Sequence, residues 1–224
     1  MRKPRPENVV IEDALVENYA AEGKALAKVD GKVIFIPFAA KGDVVDVRLL
    51  RSKKSFAEAE LLRVKKKSED RVEPLCVHFG TCGGCKWQHL KYEIQLEVKR
   101  QTVCDALTHI AGLDATVVES IVPSDAVFHY RNKLEFTFTA SRWLTVDEIK
   151  SDAQFDRKAL GFHIPGRFDK VFDVQQCFLQ DDISNQIREF VKLKAQQHEI
   201  SFFDMNQKKG VLRNLILRNS SRAS

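Results

Sequence analysis

Between about Asn8 and Val64 the apolar residues come in short runs broken by glycine: NVVIEDALV, GKALAKVDG, KVIFIPFAAKGD, VVDVRLL and FAEAELLRV. In VVDVRLL, Val45, Val47 and Leu49 fall on one face of a strand, with Asp46 and Arg48 on the other. Gly23, Gly31 and Gly42 stand where turns are needed. Short strands at this close, regular spacing predict a small closed or half-closed β-barrel.

The pattern then changes. YEIQLEVKRQTVCDALTHIAG has helical spacing, with Tyr92, Leu96, Val103, Leu107 and Ile110 on one face and Gly112 placed to end it. Strand text returns in RNKLEFTFTAS, where Leu134, Phe136 and Phe138 alternate with Lys133, Glu135, Thr137 and Thr139. ALGFHI and KVFDVQQC predict two more strands, and GVLRNLILRNSS another. Between them DDISNQIREFVKLKAQQH predicts a helix capped by Asp181 or Asp182, burying Ile183, Ile187, Phe190 and Val191. The expected fold class is α+β: an OB-like barrel over residues 1–66, then a mixed domain over 67–224 with a mostly antiparallel sheet. There is no internal repeat and no low-complexity segment.

Composition narrows the setting. With 224 residues, 44% apolar and 30% charged, the chain has the make-up of an ordinary globular protein of one large or two smaller domains. The net charge of +5 is only weak evidence for an anionic partner. The basic runs RSKK (51–54) and KKK (65–67) taken alone read as solvated face and linker. MRKPRPENVVIEDA lacks the apolar core of a secretory signal, and the apolar run VIFIPFAA is too short to span a membrane. A cytoplasmic protein with no membrane partner is expected, its thiols reduced. Five cysteines also suit a disulfide framework poorly.

Three of those cysteines lie within ten residues, in CVHFGTCGGCKWQH (76–89). The spacing is C-x5-C-x2-C, at Cys76, Cys82 and Cys85. Gly83 and Gly84 let the backbone fold tightly, so that thiolates converge and amide N–H groups approach sulfur. Cys177, expected at the end of a strand, is a candidate fourth ligand. Cys104, among apolar neighbours in a helix, reads as a small buried hydrophobe. Structural zinc sites most often pair two close ligands with two others, whereas three clustered cysteines and a remote fourth suit a cubane iron–sulfur cluster. His78 or His89 could instead complete a Cys3His zinc site.

CVHFGTCGGCKWQHL resembles the iron–sulfur signature of the S-adenosylmethionine-dependent RNA uridine-C5 methyltransferases, the bacterial 23S ribosomal RNA enzymes and their transfer RNA relatives. The N-terminal barrel resembles the TRAM domain, an OB-like RNA-binding module that precedes this signature in the ribosomal branch. HYRNKLEFTF (129–138), LGFHIPGRFDKVFDVQQC (160–177) and GVLRNLILRNSS (210–221) extend the resemblance over nearly the whole chain. The resemblance implies a 4Fe-4S cluster on Cys76, Cys82, Cys85 and Cys177. It also implies a C-terminal Rossmann-like catalytic domain, with a Gly-rich cofactor loop, a catalytic cysteine and a base. No such motif stands in this sequence, so it reads as an N-terminal fragment, inactive alone, with no catalytic residue to assign and S-adenosylmethionine used only by the full-length enzyme.

In that enzyme a cysteine thiolate adds to C6 of a flipped-out uracil, C5 takes the methyl group, and a base removes the C5 proton. The share expected of this chain is recognition of RNA, 23S rRNA first and tRNA second, by a monomer. Arg131, Asn132 and Lys133 open a strand where they can meet phosphates, although Arg131 also suits a surface ion pair. Trp87, Gln88 and His89 follow the cysteines, and Trp87 can stack on a base or cover the loop. Arg51, Lys53 and Lys54 belong to a barrel loop, the RNA-facing edge of OB-like folds. Two other classes stand beside this one. A non-enzymatic zinc-holding RNA-binding module differs in metal content, and a radical S-adenosylmethionine enzyme would typically show C-x3-C-x2-C.

Overall fold

The computed structural model describes residues 9–151 and 153–220. They divide into two units. One holds the described residues up to Leu75 together with Lys86–Ser124; the other holds Cys76–Cys85 and the described residues from Asp125 onward. This grouping differs from a boundary at 66, because residues 86–124 go with the barrel.

In the first unit five strands close into a barrel: β1 (Val10–Tyr19), β2 (Lys24–Val29), β3 (Lys32–Pro37), β4 (Val44–Ser52) and β5 (Phe56–Lys66), in the order β1-β2-β3-β5-β4. All neighbours are antiparallel except β3 and β5. Asp30 and Gly31, both at positive φ, make the two-residue turn between β2 and β3, a conformation that Asp-Gly favours. The interior is filled by Ala14, Ala25, Ala27, Ala57 and Ala59 beside Val16, Ile34, Ile36, Val45 and Val47. Alanine is frequent there because a barrel this narrow has little room between opposite walls. Asp46 is buried rather than on the solvent face. Arg63 at 2.8 Å and Lys65 at 3.1 Å pair with it, so part of the basic run 65–67 is structural.

Helix α1 (Tyr92–Ala106) continues into a π-turn ended by Gly112 at φ 65°. Its buried residues are Val98 and Cys104, while Val103 and Ile110 of the expected apolar face are exposed. Cys104 is the buried hydrophobe that its neighbours implied.

The second unit is built on an antiparallel sheet of β6 (Lys133–Thr139), β7 (Ala159–Ile164), β8 (Arg167–Asp173) and β9 (Asn214–Arg218), in the order β8-β7-β6-β9. Leu134, Phe136 and Phe138 point into its core, as their alternation requires. A short helix, α2 (Val146–Lys150), opens with a Thr145–Glu148 capping box. Helix α3 (Asp182–Gln197) is capped by Asp181, whose side chain accepts from the Ser184 N–H at 2.9 Å. It buries Ser184, Arg188 and Ala195; of the expected apolar stripe Val191 packs against the core, while Ile183, Ile187 and Phe190 are exposed. The helix is thus rotated from the face its apolar residues predicted. Among the described residues no helix is long and apolar enough to cross a membrane.

Candidate metal centre and nucleic-acid interface

Residues 76–85 form successive tight turns. The Phe79 N–H donates to Cys76 O at 3.0 Å, and the Thr81 and Cys82 N–H groups both donate to His78 O, at 3.2 and 2.9 Å. Gly83 N–H donates to His163 O on β7 at 3.1 Å, and a Cβ built on Gly83 would lie 2.2 Å from that oxygen. Only glycine tolerates that approach. The next amide, Gly84 N–H, donates to Cys82 Sγ at 3.4 Å. The Gly-Gly pair therefore brings an amide to sulfur, as the motif predicted.

Cys177 lies in the loop after β8 rather than at the end of a strand. Asn185 of α3 fixes it from both sides: Cys177 N–H donates to Asn185 Oδ1 at 2.8 Å, and Asn185 Nδ2 donates to Cys177 O at 2.9 Å. Cys82, Cys85 and Cys177 pack into one core with Phe136, Phe162 and Val174. None of the five cysteines is in a disulfide.

Electrostatics ties all four thiols together. Burial pushes Cys82 up to about 12, and the neighbouring Cys85, Cys177 and Cys76 push the same way. Burial also raises Cys177, opposed in part by the positive charge of Arg188. Burial thus favours the neutral thiol at Cys82 and Cys177, and bound metal is what would hold them as thiolates. Among the described residues no group of three or more His, Cys, Asp or Glu side chains is arranged to hold a metal ion. A tetrahedral zinc ion, with Zn–S near 2.3 Å, would draw four sulfurs to about 3.8 Å of one another. In a multi-iron group each thiolate binds its own iron, so the sulfurs stand further apart. Four cysteine sulfurs are a donor set that thiolate-bound metal groups of either kind use.

The two histidines proposed for zinc are both buried. His78 is buried, tilted against the Phe172 ring at 5.1 Å, and desolvation lowers its pKa against hydrogen bonds to Gln176 and Gln175. His89, 2% exposed, places Nε2 3.3 Å from Ala39 O in the barrel unit. It has no surface to offer a phosphate, so the RNA contact expected of it gives way to packing. Trp87 is half-buried, its Nε1 3.1 Å from where a Cβ on Gly23 would lie, and Gln88 beside it is half-buried too. Trp87 thus covers a barrel turn.

The remaining basic residues are at the surface. Arg131, Asn132 and Lys133 are exposed, and the backbone of Arg131 is held by its N–H donating to Leu179 O at 2.8 Å. The Arg131 guanidinium lies 6.0 Å from the Tyr130 ring centroid, and among the described residues it makes no ion pair. Lys133 pairs in register with Arg218 on β9. Arg218 escaped the sequence reading, because only the register of β6 with β9 adds it to this basic end of the sheet. On the barrel, Arg51 lies near the end of β4, Lys53 and Lys54 turn toward β5, and Lys53 Nζ sits 5.1 Å from the Phe56 ring centroid.

Most of this chain is similar in sequence and fold to known proteins. Residues 8–62 match the TRAM domain. The chain is 49% identical over 203 residues to a Bacteroides thetaiotaomicron protein named uncharacterized RNA methyltransferase, covering 90% of this chain and 45% of that one. A Porphyromonas gingivalis protein of the same name is 42% identical over 212 residues, covering 92% and 46%. Among solved structures, the Pyrococcus abyssi tRNA (uracil-54, C5)-methyltransferase in complex with S-adenosyl-L-homocysteine superposes with a TM-score of 0.62 at 26% identity. That match covers 93% of this chain and 42% of the other. The chain therefore spans less than half the length of these relatives.

Proposed function

We propose, from the premise that this chain belongs with the TRAM-domain RNA methyltransferases over the part of their length that it spans, that it is the RNA-recognition and iron–sulfur portion of a uridine-C5 methyltransferase. The reading is supported by the packing of Cys82 and Cys85 in one core with Cys177, about ninety residues away, with Cys76 near enough to act electrostatically on Cys82. In the whole protein the methyl donor is S-adenosylmethionine, the cofactor whose demethylated product occupies the Pyrococcus enzyme. The uridine lies in 23S rRNA, because a TRAM domain precedes the cysteine motif as in the ribosomal branch.

Cys76, Cys82, Cys85 and Cys177 hold a 4Fe-4S group, which supplies a four-point crosslink between the 76–85 loop and the loop before α3. The chain's own residues do the rest. Arg131, Lys133 and Arg218 at one end of the β6–β9 pair, and Arg51, Lys53 and Lys54 on the barrel, bind RNA phosphates. Asn132 adds a neutral hydrogen-bonding group beside the first set. These contacts position the strand without reading its sequence.

The test is metal and sulfide analysis of protein purified without oxygen, joined to binding of 23S rRNA and tRNA fragments. Iron with acid-labile sulfide and tighter binding of the ribosomal fragment are expected. Stoichiometric zinc without sulfide would favour the zinc-holding module instead, and tighter tRNA binding would move the substrate to tRNA.

A further inference from the structure

Arg188 is the most deeply buried charged group of the second unit that the proposed function leaves unused. It is 1% exposed on α3. Its guanidinium lies 5.5 Å from the Phe136 ring centroid, Nη1 donates to Asn185 Oδ1 at 3.3 Å, and Nη2 donates to Gln175 O. Nε has no partner. Two carboxylates are near enough to act on its charge, Glu189 and Asp173, and Asp173 is already paired with Lys192 at 2.6 Å. Among the described residues no carboxylate makes an ion pair with Arg188.

An unpaired guanidinium is among the costliest groups to bury, and it cannot shed its proton to escape. One thiol, that of Cys177, is near enough to act on its charge as well. Cys177 and Arg188 act on each other electrostatically, and Asn185, which accepts from Arg188, also clasps Cys177 on both sides. Four neutral thiols would leave the cation without a counter-charge. Four thiolates outweigh the charge of a divalent ion or of an iron–sulfur core and supply one.

We propose that Arg188 is the buried counter-cation of the four-cysteine site, and that the metal group held there is net anionic. This rests on the reading that the cysteines bind metal. Arg188 is a positioning residue: it acts through Cys177 and the 175–177 turn and binds no metal itself. Its charge favours the metal-loaded state over the metal-free one, so its loss has opposite signs in the two states.

The test compares the whole chain with its Arg188→Met and Arg188→Lys variants, purified without oxygen. Two quantities are read: the rate of metal release to an excess of chelator, and the thermal midpoint of the metal-free, thiol-reduced protein. Arg188→Met should release metal at least about tenfold faster. Its metal-free form should melt no lower than wild type, since an apolar side chain of similar length removes an uncompensated buried charge. Arg188→Lys, which keeps the charge and loses the forked hydrogen bonds, should release metal close to the wild-type rate. A lowered midpoint of metal-free Arg188→Met, unchanged release from it, or release from Arg188→Lys as fast as from Arg188→Met would each overturn the proposal. Failure of wild-type protein to take up iron and sulfide or zinc would remove the underlying reading, and it would show before any variant is made.

Discussion

Lys133 on β6 and Arg218 on β9 are directly opposite one another across an antiparallel pair, both at the surface. Like charges facing across strands repel, and neither residue has an ion-pair partner among the described residues. The arrangement costs stability in the free protein and suits a surface that meets phosphates. Replacing both by Ala should leave the free protein no less stable in thermal unfolding while weakening RNA binding. If about four to six phosphates are neutralised, log K should fall with log salt at a slope of roughly −3 to −4 for single-stranded RNA. The double variant should reduce that slope by about one to two units, uniformly across unrelated sequences. A slope unchanged by the double substitution would remove these residues from the interface.

Gly83→Ala tests the cysteine loop. Its Cβ would sit 2.2 Å from His163 O, so the loop must leave β7. Metal content should fall steeply and the Gly83–His163 hydrogen bond should lose its exchange protection. Gly80→Ala is the control, since its position at φ 91° has nothing within 4 Å of the new Cβ. That change should cost only the strain of a left-handed residue, about 1 kcal/mol, with metal retained.

Cys82→Ser, or chelation of wild type, should release two segments together, the 76–85 turns and the 175–180 loop. Hydrogen exchange should speed up in both. Residues 86–89 should stay protected, because Trp87 packs on the Gly23 turn and the Val72 N–H donates to His89 O at 3.0 Å. Loosening of 86–89 to the same degree would contradict the division between the two segments.

His89 sets an acid limit on the barrel unit. Desolvation lowers its pKa from 6.5 to about 4. Above pH 6.5 it is neutral folded or unfolded and adds no pH slope. Between 6.5 and about 4 the unfolded chain binds the proton and the folded one does not, so stability falls as pH falls, by on the order of 3 kcal/mol in total. Urea unfolding from pH 7 to 4 should show this loss, and His89→Gln should flatten the part of the curve that belongs to it.

What could be read from the sequence was whatever repeats locally. The alternation of Val45, Val47 and Leu49 and of Leu134, Phe136 and Phe138 placed two strands the right way round, because a strand buries every second residue whatever it packs against. Helix α3 shows where such reading stops. Of its expected apolar stripe only Val191 packs against the core, which otherwise takes the face with Ser184, Arg188 and Ala195. Small side chains let the helix approach the Cys177 loop, and a cation answers the sulfurs, and neither demand is visible to a count of apolar spacing. The cysteine motif could be read as a candidate ligand set from its spacing alone, while the hold of Asn185 on Cys177 and the pairing of Lys133 with Arg218 depend on tertiary register.

The chain enters the second unit for the ten residues Cys76–Cys85, returns to the first for Lys86–Ser124, and then passes back. The two units are therefore interleaved in the covalent chain, and no single cut separates them intact. Cleavage before Cys76 leaves α1 without its barrel, and cleavage after Ser124 leaves three cysteines on one piece and Cys177 on the other. Dissection of this protein requires either excising Lys86–Ser124 behind a short artificial bridge or keeping the whole chain. A protease that nicks within 86–124 would leave Cys76, Cys82 and Cys85 on one piece and Cys177 on the other.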